Sequence, residues 1–145
     1  MKCAEMMEPE ITAWTPHKNT VRIPTGLLGF EAIKDYVLTM NPGEAPFAWL
    51  HVDDGSGLSF VVIDPFIVHP NYHPDIPKMD VDFLQLTEAK DAQLLSIVTI
   101  NAGTTPTINL KGPIVINRHT NIGKQVIIAN AADYSLKHPL PVAAE

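Results

Sequence analysis

Prolines interrupt this chain too often for long helices: thirteen fall within its 145 residues. Each removes an amide donor and restricts the residue before it. Between them run short, β-branched apolar stretches, which favour strands. Strands are predicted at residues 21–23, 36–40, 47–52, 58–64, 94–100, 107–110, 114–117 and 124–129. Asp53-Asp-Gly-Ser-Gly57 joins the third and fourth as a hairpin, and Glu10–Trp14 is read as a possible first strand. Met79–Leu86 has weak helical spacing, with its apolar side expected on the core and Asp80 and Asp82 on the polar side. Residues 65–77 hold four prolines and are read as irregular, and Thr87–Asp91 as a turn capped by Thr87. The expected fold is therefore all-β, a small closed barrel-like structure with one or two short helices.

A chain of this length is expected to form one domain over 1–145, with loose tails at 1–9 and 139–145. The single cysteine, Cys3, allows no internal disulfide or thiolate zinc site. Met1–Met7 lacks a signal-peptide core, and no run of 18 apolar residues occurs, so a cytoplasmic location away from membranes is expected. The net charge of −6 disfavours nucleic acid and suits a basic protein partner, although acidity also serves solubility alone.

Candidate chemistry is sparse. His69 and His73, with Asp64 and Asp75 nearby, would share a helix face for a metal. Pro70 and Pro74 oppose that helix, so solvated loop histidines are expected, with no metal or other cofactor. Ser56, Ser59 and Ser96 lie outside any nucleophile elbow. Asp53 and Asp54 suit a turn. A glycosidase pair could come from distant segments, yet a short chain leaves little room for a large cleft.

The stretch 107–128 carries three residues a plain hairpin does not need: Asn109, Pro113 and Gln125. Amides in apolar strands must find hydrogen bonds. Asn109 and Gln125 therefore either satisfy irregular backbone across the barrel, the commoner case, or face a partner. Gly26 and Gly29 bracket two leucines in a turn. Phe66 could be core or anchor. Trp49, inside a strand, is expected in the core, and Tyr72, between prolines, on the surface.

Taken in order, Ile23-Pro-Thr-Gly26-Leu-Leu-Gly29-Phe30-Glu31, Pro46-Phe47-Ala-Trp-Leu50, Phe60-Val-Val-Ile-Asp64-Pro65, Pro70-Asn-Tyr72, Val98-Thr99, Asn109-Leu-Lys-Gly-Pro113-Ile-Val-Ile-Asn117 and Gly123-Lys-Gln125-Val-Ile resemble the bacterial flagellar assembly factor family FliW. The chain departs from that pattern at Ile23, Asn71 and Gly112. The resemblance implies a barrel-like protein without enzymatic activity, and two protein partners. One is flagellin. The other is CsrA, an RNA-binding repressor of flagellin synthesis, which the protein would antagonise once flagellin is exported. The free protein is expected to be a monomer. Phe66 and Tyr72 are the expected contact anchors, with Asp64 and Asp75 as the nearest acids. A generic β-barrel interaction module and a small hydrolase are the competing readings.

Overall fold

Alternating burial builds the first half of the molecule. The computed structural model describes residues 17–100 and 102–140, so the stretch Glu10–Trp14 lies outside the described residues. Strands β1 (His17–Arg22), β2 (Asp35–Met40), β3 (Phe47–Val52) and β4 (Ser59–Ile63) form an antiparallel meander. Tyr36 lies opposite Val52, Leu38 opposite Leu50, and Ala48 opposite Val62, so the buried members share one face.

The long strand β5 (Ala92–Thr99) then serves three partners. It pairs with β4, with β6 (Thr107–Ile108) and with β7 (Ile114–Asn117). Strand β8 (Gly123–Gln125) completes a hairpin with β7, and β9 (His138–Pro139) pairs with β6. Among the described residues no continuous ladder closes this sheet. Its ends meet at one parallel bridge between Arg22 and Ile122, with Arg22 N–H donating to Asn121 O at 3.0 Å. Closure among the described residues is thus partial, because only one of their residue pairs is in register there.

The sheet is covered on both faces. Val21, Ile23, Leu27, Tyr36, Leu38, Leu50, Val62, Leu95, Ile114 and Ile116 form the inner core. The outer face carries Ile63, Val98, Ile108 and Leu110, packed under Tyr72, Ile128 and Leu140, with a smaller cluster of Leu84, Val115 and Val126 alongside. Strand β5 separates the two by its period of two: Leu95 and Ile97 face inward, Leu94 and Val98 outward.

Two short helices help cover the outer face. Helix α1 (Pro65–Val68) falls within the segment expected to be irregular. Asp64 starts it, accepting the Phe66 N–H at 2.8 Å, and Pro65 fills the first position, where no donor is needed. Helix α2 (Lys78–Phe83) occurs where predicted but turns differently. Met79 is 73% exposed and Phe83 is exposed as well, whereas Asp80 is buried and ion-paired with Lys124. A charge partner on another strand decides which side of so short a helix faces in. In the turn at Ala89–Asp91 the cap is reversed from expectation: Asp91 Oδ2 accepts from the Thr87 hydroxyl and from the Thr87 and Glu88 N–H groups.

The expected tail at 139–145 begins no earlier than 141. Pro139 pairs with Thr107, and Leu140 is buried and donates its N–H to Pro106 O. Residues 1–9 and 141–145 lie outside the described residues. Among the described residues no helix is long and apolar enough to cross a membrane.

Candidate functional site

A groove of about 560 Å³ gathers residues from six segments. One wall is the turn at 26–30. Gly26 has φ +70°, and a Cβ there would lie 2.5 Å from Glu31 Cα, so only glycine fits. That turn buries Leu27 and leaves Leu28 61% exposed. Phe30 meets Phe60 edge-on at 5.2 Å between ring centroids. The floor is Ile97 and Thr99 of β5 with Thr107 of β6, and the far rim is Leu136, 56% exposed, with Lys137.

Asn109 and Gln125 tie these segments together. Gln125 Oε1 accepts the Leu28 N–H at 2.8 Å, and its Nε2 donates to Gly112 O at 3.1 Å. Asn109 Oδ1 accepts the N–H groups of Lys111 and Gly112, both at 2.9 Å, forming an Asx turn. Asn109 also lines the groove. Pro113 is buried, and its carbonyl accepts the Val126 N–H. Gly29 has φ +89° and open space around it.

The anchors expected from the proline-rich segment separate. Phe66 is 41% exposed and lines a second groove of about 380 Å³ with Ile76, Val81, Leu86 and Leu94. Asp64 is half-buried as the cap of α1, and Asp75 is exposed. Tyr72 is not a surface residue. It is 3% exposed, and its hydroxyl donates to Leu110 O at 2.7 Å, because the loop folds back across the outer core. Trp49 departs from expectation the other way. It is half-buried, stacks on His51, and donates its indole N–H to Glu44 at the surface.

His69 packs against Tyr72, Tyr134 and His138, its ring 5.4 Å from that of His138. His73 is exposed. Among the described residues no three His, Cys, Asp or Glu side chains gather as metal ligands. Ser96 is fully buried, and Ser56 accepts the Leu58 N–H within its loop. Thr39 Oγ1 lies 3.0 Å from His51 Nε2, but no carboxylate bonds to that imidazole among the described residues. A triad-like site needs such an orienting group.

Two titrating groups make acid destabilising. Burial, then neighbouring His69, hold the His138 imidazole below its ordinary value of 6.5. Hydrogen bonds from Thr87, then from His119 and the Glu88 N–H, hold the Asp91 carboxyl far below its ordinary value of 3.8. Each group prefers to be deprotonated in the fold, so in acid the unfolded chain binds more protons. Stability should be complete above about pH 7 and should fall first as His138 titrates, then again through the carboxylate range. Urea midpoints measured from about pH 7.5 down to about pH 3 check this, and Asp91→Asn should flatten the lower limb. A midpoint that rises on acidification would contradict it.

The turn at 26–30, Phe60, Thr99, Asn109 and Gln125 lie in segments that carry the family pattern. The family profile described as FliW protein matches residues 10–140. The flagellar assembly factor FliW of Natranaerobius thermophilus is 35% identical over 122 residues, covering 83% of this chain and 80% of that protein. That of Clostridium beijerinckii is 30% identical over 141 residues, covering 97% and 98%. A solved structure, the crystal structure of the flagellar assembly factor FliW, superposes with a TM-score of 0.74 at 39% identity, covering 83% of this chain and 84% of that one. With a family match across nearly the whole length and a shared fold at such identity, the chain belongs to the FliW family of flagellar assembly factors.

Proposed function

We propose that the protein is a non-enzymatic cytoplasmic adaptor, monomeric when free, that binds flagellin and, in alternation, binds and antagonises the translational repressor CsrA. Flagellin synthesis is thereby coupled to export. Family membership supports the partner identities. The observation that carries a contact mechanism is the outer surface over residues 64–91. It carries Asp64, Asp75, Asp82 and Glu88 at the surface, with Asp80 and Asp91 buried beneath, against Lys78 and Lys90. Exposed Phe66, Met79 and Phe83 stand among them. Acids steer a basic partner toward encounter, and the exposed apolar side chains then supply the short-range binding.

Co-purification from the native cell tests the reading, each partner being offered with the other in excess. The protein should retain flagellin, and excess flagellin should release CsrA. A generic β-sheet module would capture neither. Rates separate the two parts of the mechanism. Asp64→Asn with Asp75→Asn should slow association with CsrA and leave dissociation nearly unchanged, since asparagine still caps α1. Phe66→Ala should instead speed dissociation about tenfold or more. Equal association rates at low and high salt would reject electrostatic steering.

A further inference from the structure

Strands β4 and β5 separate at one end. Val62 lies opposite Ile97 and Ile63 opposite Ser96, and beyond Val62 no further pair of the two strands is in register among the described residues. Each strand keeps its other neighbour there: β4 stays paired with β3 as far as Ser59, and β5 with β6 as far as Thr99. A cleft therefore opens within the sheet, between residues 59–61 and residues 98–100. A groove lies on each face of it. Phe60 and Thr99 line the groove beside the turn at 26–30, and Val61 and Ile100 line another of about 400 Å³ with Trp49 and Phe47.

Hydrogen bonds on the far sides of both strands fix which way the backbone points at the cleft. Val52 N–H donates to Leu58 O at 2.9 Å, and Asn109 N–H donates to Ile97 O at 3.1 Å. Along an antiparallel strand, residues that bond to one neighbour alternate with residues that turn to the other side. Leu58, Phe60 and Val62 thus bond toward β3, and Ser59 and Val61 turn their backbone groups to the cleft. Across from them, Val98 and Ile100 do the same. Ser59, Phe60 and Val61 are half-buried, whereas Val62 and Ile63 are buried where the strands do pair. The rim is apolar and in water: Leu28, Phe30, Leu58 and Ile100 are all exposed around it.

A backbone edge of this kind decides the form of what covers it. A helix laid across the cleft satisfies only its own backbone, so it would bury the groups of Ser59 and Val61 without partners. An extended segment supplies those partners and sends alternate side chains to opposite faces. The geometry points to this cleft as the docking site for one extended segment of a protein partner, which adds as a strand along β4 at Ser59 and Val61. Its side chains alternate between the groove at Phe60 and the groove at Val61. Both grooves are largely apolar at those residues, so consecutive β-branched or aromatic residues suit the site better than a run that alternates apolar with charged. The assignment rests on the reading of the protein as a polypeptide-binding adaptor and adds where, and in what backbone form, a partner is held.

The test uses designed peptides rather than either proposed partner, so its outcome is separate from that of co-purification. The probe is a blocked heptapeptide of valine, isoleucine and threonine. One control has the same sequence with N-methyl groups on successive amides, which block both of its edges, and a second is an amphipathic leucine-rich helix. Amide hydrogen exchange of the full chain, read by NMR, follows Ser59 and Val61, with Phe60 as the reference bonded toward β3. The Ser59 and Val61 amides should exchange rapidly in the free protein. The unmethylated peptide should bind saturably below about 1 mM and slow both by about tenfold or more, leaving Phe60 unchanged. Val61→Pro removes a donor that faces the cleft and none that β3 uses, so the sheet should persist while binding weakens by about tenfold or more. If that variant does not fold, Leu28→Ser with Ile100→Ser, both at exposed positions, should weaken binding through the side chains instead. The proposal is overturned if the unmethylated peptide does not saturate, or if the methylated or helical peptide binds as well. It is overturned too if the Ser59 and Val61 amides are already protected in the free protein, since the chain would then fill its own cleft.

Discussion

Tyr72→Ala should lower stability by about 3–5 kcal/mol, the range for removing a buried aromatic. The ring sits edge-on to Tyr134 at 4.8 Å and 5.6 Å from Phe66, and it plugs the outer core over Leu110. Its hydroxyl, held to Leu110 O, has its pKa pushed well above the ordinary tyrosine value by burial and then by Tyr134, so it stays a donor across the usable pH range. Tyr72→Phe keeps the ring but orphans a buried carbonyl, at a cost of about 1–3 kcal/mol. Urea unfolding followed by circular dichroism gives both numbers. If Tyr72→Ala stayed within about 1 kcal/mol of the parent protein, the outer core would not depend on this side chain. Loss of partner binding in Tyr72→Ala should therefore trace to unfolding, whereas in Phe66→Ala it should occur in a folded protein.

Gly26→Ala should be nearly as damaging, at about 3 kcal/mol or more. The new Cβ would meet three backbone atoms of Glu31 at 2.5–2.7 Å, and backbone there cannot swing aside as a side chain could. The φ of +70° adds strain of its own. Gly29→Ala is the matched control. Its φ is also positive, but nothing lies within 4 Å of the added carbon, so the cost should be only about 1 kcal/mol. Thermal and urea unfolding of the pair should thus differ by about 2 kcal/mol. Equal losses would mean that strain alone, and not the close approach to Glu31, makes glycine necessary at position 26. Because Leu27 and the Leu28 N–H hang on this turn, Gly26→Ala should also dismantle the groove lip.

Local alternation made the meander legible from sequence. Residues such as Tyr36, Leu38, Leu50 and Val52 repeat at a period of two, and the register that buries them follows. The strand at β7 also read clearly, because Ile114, Val115 and Ile116 are buried on both faces. What failed depended on contacts between distant segments. Asp80 looks polar and outward-facing on its own helix, yet Lys124, 44 residues away, draws it inside. Tyr72 looks exposed between prolines, yet its partner is 38 residues on. Trp49 fits a buried strand, but the nearby Glu44 keeps its indole N–H at the margin.

The candidate groove was half visible. Gly26, Gly29, Phe30, Asn109 and Gln125 stand out in sequence because glycine pairs and amides within apolar runs need a physical reason. Leu136 and Lys137 carry no such mark and enter the site only because β9 pairs back onto β6. Leu28 could have been suspected: a leucine pinned between two turn glycines has little chance to retract.

The most direct measurement loads the purified protein with CsrA, adds purified flagellin, and reads the released repressor by gel filtration. An adaptor that works by exchanging polypeptides should give up CsrA in proportion to the flagellin bound, with Phe66→Ala weakening the starting complex while the fold persists. CsrA that stays bound as flagellin saturates, or no complex with either protein, would contradict the exchange.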